Sequence, residues 1–209
     1  MNAESMTSLA PIVSLGAVTE PSIHRFSVDQ YHDMISAGIL TENDRVQLID
    51  GYIVAMNPIG PPHAFVVTKL SELLARMLLA EWHTRVQQPI TLSASEPEPD
   101  IVVARGQTDD FKIRHPGPSD VALVVEVADS SVAFDRGAKA IMYAQDGVSE
   151  YWIINLANRT VEVNQTPSPR KGMTPARYAT QSVVDATGTL DVVLDGRQYG
   201  AVRVADILP

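Results

Sequence analysis

Residues 121–154 read VALVVEVADSSVAFDRGAKAIMYAQDGVSEYWII. The run at 121–128 is short, apolar and rich in valine, which is typical of a strand buried on both faces. Apolar residues then recur at helical spacing within 132–145, and a second apolar run begins at residue 150. This strand–helix–strand order predicts a βαβ-like core, and hence an α/β or α+β fold with a mixed central sheet flanked by helices.

Weaker patterns extend this core in both directions. Ser27 and Gln30 form a capping-box pattern at the start of a helix, and the dipeptide Asp50-Gly51 predicts a tight hairpin. The expected elements are helices at about 28–37, 63–82 and 132–145, a hairpin within 46–56, strands at 84–92, 99–104, 150–156 and 160–165, a polar loop at 105–120, and peripheral strands beyond residue 183.

Length and composition predict one domain. The chain has 209 residues, of which 45 % are hydrophobic, and this is enough for one well-covered core. Residues 1–22 are small and polar without periodicity, so we expect a flexible N-terminal arm followed by a single domain at 23–209. No apolar run approaches the roughly 20 residues of a membrane span, and no secretory signal is recognisable, so the sequence predicts a cytoplasmic protein that does not bind membranes.

The absence of cysteine limits the chemistry. Disulfides, thiolate metal sites and a cysteine nucleophile are excluded, which leaves oxygen and nitrogen ligands. Such ligands suit hard cations such as Mg²⁺ or Mn²⁺. The net charge of -9 argues against non-specific coating of nucleic acid, so any nucleic-acid surface must be local.

Two acids lie within apolar strand patterns. Asp100 follows Pro99 at the start of one strand, and Glu126 lies inside the next. Buried carboxylates are costly unless they bind a metal or a partner. Asp135 and Lys139 lie four residues apart on the following helix, so a positive charge can reach the same place. The pattern predicts a divalent-metal site that acts on phosphate.

Simpler interpretations of the same residues remain open. Asp100 could be a strand-start carboxylate bound by backbone N–H groups, and Lys139 could form an ordinary surface ion pair with Asp135. His63 stands at a loop-to-helix junction, where it could be a core histidine or could face the metal and phosphate.

Several segments, taken in order, resemble a known family. They are residues 46–53, 62–63, 99–101, 125–127 and 147–154, together with Asp135, Lys139 and Tyr143. They are similar to the Uma family of restriction endonucleases, which is placed in the PD-(D/E)XK nuclease superfamily. The resemblance covers roughly residues 26–163.

The resemblance implies a restriction-endonuclease-like core with Asp100 and Glu126 as metal ligands, and a homodimer that cuts two strands. The superfamily lysine usually stands two residues after the second acid, where this chain has Ala128. Family members of this kind supply it from the following helix, which indicates Lys139. The family pattern also has an acid where this chain has Gln47, and a neutral amide cannot replace a carboxylate charge on a cation.

We therefore expect a Mg²⁺- or Mn²⁺-dependent endonuclease that hydrolyses phosphodiester bonds in DNA. Asp100 and Glu126 would bind the metal, Lys139 would position water, and Asp135 or His63 would assist. The alternative is a catalytically weakened nuclease-fold binding or regulatory module, which Gln47 and the scarcity of basic patches favour. A third possibility is hydrolysis of a small phosphorylated compound.

Overall fold

The computed structural model describes residues 23–209. The elements that precede the central sheet occur in the order that the sequence predicts. Helix α1 (Val28–Ser36) begins with the predicted capping box, in which Ser27 and Gln30 exchange side-chain and backbone hydrogen bonds. Strands β1 (Val46–Ile49) and β2 (Tyr52–Ala55) form the predicted hairpin. Asp50 and Gly51 both have positive φ angles, which the tight turn requires.

A six-stranded mixed sheet forms the centre of the molecule. It follows helix α2 (Pro61–Met77), and its strands are β3 (Trp82–Val86), β4 (Ile101–Arg105), β5 (Val121–Ala128), β6 (Glu150–Asn155), β7 (Thr160–Ser168) and β8 (Arg177–Asp185). The strands lie in chain order across the sheet. Strands β5 and β6 are parallel and the other neighbours are antiparallel. This confirms the α+β fold with a mixed central sheet.

The predicted helix between β5 and β6 is irregular. It begins as α3 (Val132–Phe134), widens into a π-helical segment (Asp135–Lys139) and ends as α4 (Ala140–Gln145). The extra residue of the π turn leaves the apolar positions close to helical spacing, so the sequence pattern predicts a helix but not its widening.

Both faces of the sheet are covered, which explains the continuous apolar runs of β4, β5 and β6. On one face α2 packs with the hairpin of β9 (Thr189–Leu194) and β10 (Arg197–Arg203), through residues such as Leu70, Leu74 and Leu190. On the other face α4 packs through Met142 and Tyr143. The hairpin confirms the extra peripheral strands, and short 3₁₀ helices lie at Thr108–Phe111 and Val204–Asp206.

Two predicted boundaries are wrong near β3. Helix α2 ends at Met77 instead of residue 82, because Leu78 is extended and Trp82 pairs with Arg105 in the sheet. Strand β3 ends at Val86 instead of residue 92, because Gln87 takes a positive φ angle and turns the chain. The predicted N-terminal arm, residues 1–22, lies outside the described residues. In residues 23–209, no helix is both long and apolar enough to cross a bilayer.

Candidate active site

Strand register places the two predicted acids side by side. Ile101 pairs with Val125 in the β4–β5 ladder, so Asp100, one residue before, falls opposite Glu126, one residue after. Alternation along the strands puts both side chains on the sheet face that α4 covers. Gln87 continues the β3–β4 register and its N–H donates to the Asp100 carbonyl. A row of polar side chains therefore crosses three strands.

The Asp100 carboxylate is held from several sides. Its Oδ2 accepts a hydrogen bond from the Val127 N–H at 2.8 Å and lies 3.0 Å from His63 Nε2. Its Oδ1 accepts a longer bond from Gln87 Nε2 at 3.3 Å. The backbone contact expected of a strand-start acid is thus present, but Asp100 is buried and lines a cleft.

His63 stands in the first turn of α2, where Pro61 and Pro62 start the helix. Burial lowers its pKa, but the hydrogen bond and the charge of Asp100 outweigh this effect, and the net shift is upward. Its Nδ1 is enclosed and has no hydrogen-bond partner among the described residues. The structure therefore places His63 in the lining of the cleft, within hydrogen-bond distance of Asp100.

Glu126 lies deeper than Asp100. Its Oε1 is 2.7 Å from Lys139 Nζ and accepts a hydrogen bond from the Tyr143 hydroxyl at 2.8 Å. Burial raises the pKa of Glu126 to about 7, because desolvation and the charges of Asp100 and Asp135 outweigh the opposing lysine. The environment thus makes the charged carboxylate costly unless more positive charge is present.

The π segment brings Asp135 and Lys139 into the same site. Their side chains are 3.7 Å apart, and Ser131 donates to the other Asp135 oxygen at 2.6 Å. Burial lowers the pKa of Lys139, but the charges of Glu126 and Asp135 outweigh it and raise the value. Lys139 is only 7 % exposed, so it does not form the ordinary surface pair that the helix pattern also allowed. Single π turns are frequent at functional sites.

An open cleft of about 720 Å³ gives access to these groups. Gln47 is buried in its wall, and its Oε1 accepts a hydrogen bond from the Glu98 N–H at 3.3 Å. The amide therefore stands where the family pattern has an acid. Gln87 and Arg45 also line the cleft, although no sequence motif indicated either residue. Both residues have positive φ angles, which the local sequence does not predict.

The oxygen atoms of this site suit a hard divalent cation. Glu126 Oε2 accepts no hydrogen bond from the described residues, and the only one to Asp100 Oδ1 is the long bond from Gln87. Residues 23–209 contain no cluster of three or more His, Asp or Glu side chains arranged to hold a metal. Mg²⁺ commonly binds through one or two carboxylates and keeps several waters, which fits Asp100 and Glu126.

A solved structure has the same fold. The chain is similar to the crystal structure of a putative nuclease belonging to DUF820 from Anabaena variabilis ATCC 29413, with a TM-score of 0.62 and 12 % sequence identity over 87 % of this chain and 97 % of that one. A match to apo NucC of E. coli MS115-1 has a TM-score of 0.30 and 14 % identity over 44 % of this chain and 48 % of that one. No curated protein matches the chain.

The protein thus has a nuclease-like α+β fold, and its candidate site contains two buried acids and a lysine. The Uma2 family model, described as "Putative restriction endonuclease", matches residues 28–199. The chain belongs to the Uma2 family.

Proposed function

We propose that this protein is a divalent-metal-dependent endonuclease that hydrolyses phosphodiester bonds in DNA. One observation carries the proposal: Asp100 and Glu126 lie opposite each other at one end of a cleft, with the Lys139 ammonium 2.7 Å from Glu126. Burying two carboxylates and a lysine costs free energy, so a purely structural role does not explain them. Hydrolysis of an anionic ester does, because carboxylates bind the metal and a lysine stabilises negative charge.

Each residue has a distinct part in this proposal. Asp100 and Glu126 would hold Mg²⁺ or Mn²⁺, which when bound supplies a Lewis acid for the phosphoryl oxygen and lowers the pKa of the attacking water. Lys139 holds that water or stabilises the developing negative charge. Asp135 positions the lysine, and His63 positions Asp100 through Oδ2.

The first prediction is strict metal dependence. Incubation with Mn²⁺ or Mg²⁺ is expected to convert supercoiled plasmid to nicked and linear forms, and EDTA is expected to stop the reaction, because the carboxylates alone cannot polarise the phosphate. A covalently closed substrate is chosen because it has no ends, so any product requires internal cleavage. Intact DNA and RNA under all metals and salt concentrations would contradict the proposal. Hydrolysis of nucleotides but not of polymers would indicate the small phosphorylated substrate instead.

Gln47 favours a second candidate, a nuclease-fold module that binds or regulates without cutting. The cleft holds one acid fewer than the family pattern, and cation affinity depends on the number of ligand charges. The natural chain would then bind nucleic acid and leave it intact. This candidate and the endonuclease differ in what the wild-type protein does with Mn²⁺ present.

The second prediction uses the substitution Gln47→Glu. The Glu98 N–H that binds Gln47 Oε1 can donate equally to a carboxylate, so the change adds a charge without losing that bond. We expect the metal concentration for half-maximal activity to fall by about tenfold, which corresponds to about 1.4 kcal/mol. Isothermal titration with Mn²⁺ provides the direct measurement, and Gln47→Leu is the uncharged control. Cleavage by Gln47→Glu alone, with an inert wild type, would support the binding module.

The homodimer and the cytoplasmic location remain predictions from the sequence. Light scattering of the purified protein, with and without a duplex, measures the number of chains directly.

A further inference from the structure

Two cations are buried in the described part of the chain, and their surroundings differ. Lys139 contacts two carboxylates. Arg85, on β3, is 9 % exposed, and no carboxylate among residues 23–209 forms an ion pair with it or raises its pKa, which burial lowers. Its Nε is enclosed without a hydrogen-bond partner. A buried guanidinium without an anion is costly, so this position requires an explanation.

Most other arginines of the described chain differ from Arg85 because they have a carboxylate partner. Seven exposed ones form ion pairs with carboxylates: Arg25, Arg76, Arg105, Arg114, Arg136, Arg197 and Arg203. Glu96 lies 3.9 Å from His115. Its oxygens already form hydrogen bonds with His32 and Thr91, each at 2.8 Å.

Aromatic and basic side chains surround the Arg85 guanidinium. Its Cζ lies 5.7 Å from the centre of the Phe111 ring, and the Arg114 guanidinium lies 4.9 Å from the same ring. Burial lowers the pKa of His115 and the charge of Arg85 lowers it further, while Glu96 opposes the shift. The ring of His83, two residues earlier on the same strand face, lies 5.3 Å from Phe111. Two guanidiniums thus lie near the Phe111 ring: Arg114 pairs with Asp120, whereas Arg85 has no carboxylate partner among residues 23–209.

Strand register relates this position to the active site. Arg85 pairs with Val102, and Gln87, two residues further, donates to the Asp100 carboxylate. Residues two apart on a strand share a face and are separated by about 7 Å. That is the axial length of about two nucleotides of one duplex strand. Along the strand, Arg85 therefore stands about two nucleotides' axial length from Gln87, just beyond the residues that line the cleft.

We propose that Arg85 binds a phosphodiester group of the polynucleotide outside the reaction centre. This inference rests on the proposed nuclease function. A phosphate supplies the acceptor oxygens and the negative charge that the chain withholds from this guanidinium, and arginine binds phosphate in two-pronged geometry. The Arg85 guanidinium would then be paired with an anion only when substrate is bound.

The third prediction tests Arg85→Met against Arg177→Met, which removes the same charge from the exposed strand at the opposite edge of the sheet. In EDTA, where no cleavage occurs, Arg85→Met is expected to bind a 20-base-pair duplex about tenfold more weakly, with the slope of log affinity against log salt reduced by about 1. With metal present, KM is expected to rise while kcat is unchanged, because the contact is made in both ground and transition states. Arg177→Met is expected to match the wild type.

Stability separates a binding role from a structural one. Because the uncompensated buried charge is removed, Arg85→Met is expected to melt about 2–4 °C above the wild type. Equal duplex affinities, or a lower melting temperature for Arg85→Met, would overturn the inference.

Inorganic phosphate distinguishes the sources of the anion. If phosphate raises the melting temperature of the wild type but not of Arg85→Met, and the wild type neither binds nor cuts DNA, the phosphate site stands and the nuclease proposal fails. If DNA is cut and Arg85→Met behaves as the wild type, the nuclease proposal stands and this inference fails.

Discussion

Replacing Asp100 by asparagine is expected to reduce DNA cleavage about 10³-fold or more, equivalent to about 4 kcal/mol of transition-state stabilisation. Asparagine keeps an oxygen that can accept the Val127 N–H bond, so local structure is retained. The lost charge is what a divalent cation requires. The change also removes repulsion, since the charge of Asp100 raises the pKa of Glu126. The variant also loses the attraction between Asp100 and His63, and because the two effects oppose each other we expect stability close to that of the wild type.

Plasmid nicking with Mn²⁺ gives the rate, and thermal unfolding gives the stability. A suitable control is Asp185→Asn, because Asp185 is also an aspartate at a strand terminus that accepts a backbone N–H bond, but it lies on β8 away from the cleft. This control is expected to cut at the wild-type rate. Wild-type activity in Asp100→Asn would remove Asp100 from the metal site.

Replacing Lys139 by methionine is expected to affect both stability and activity. The ammonium is the only cation that contacts either Glu126 or Asp135 within the described chain, and both acids are buried. Breaking a buried ion pair from one side costs about 3–5 kcal/mol, because the remaining charge is left uncompensated. Cleavage is expected to fall about 10²–10³-fold even at temperatures where the variant is folded, because a charge near the reacting phosphate is lost.

Urea unfolding and plasmid nicking measure the two effects separately. Lys112→Met is the matched control, because Lys112 pairs with Asp109 on the exposed surface, and such pairs contribute little. The double variant Lys139→Met, Glu126→Gln is expected to regain stability but not activity, because it also removes the Glu126 charge that Lys139→Met leaves without a partner. A stable and active Lys139→Met protein would contradict the assigned role.

Much of the fold could be predicted because local patterns agree with tertiary demands. The valine-rich run of β5 and the capping box of α1 each indicate one structure, and both are present. The errors lie at chain reversals. Gln87 adopts a positive φ angle, although glutamine is not a residue type that predicts one. The end of α2 depends on the pairing of Trp82 with β4, which is a contact between distant segments.

The site divides in the same way. Asp100 and Glu126 stand out in sequence because acids inside apolar runs are rare without a partner. Lys139, which contacts Glu126, belongs to a π segment whose widening the sequence pattern does not predict. Arg85 lies in a strand of mixed polarity and shows no sequence signal, because burial without an ion pair is a property of the surroundings alone.

Hydrophobic periodicity and the order of strands and helices were sufficient to determine the α+β class and the two acids, because both depend on neighbours along the chain. Whether those acids meet, which cation faces them, and which buried cation lacks an anion depend on strand register and on contacts between distant segments. Such contacts set the local dielectric and the distances between charges, and only the folded chain defines them.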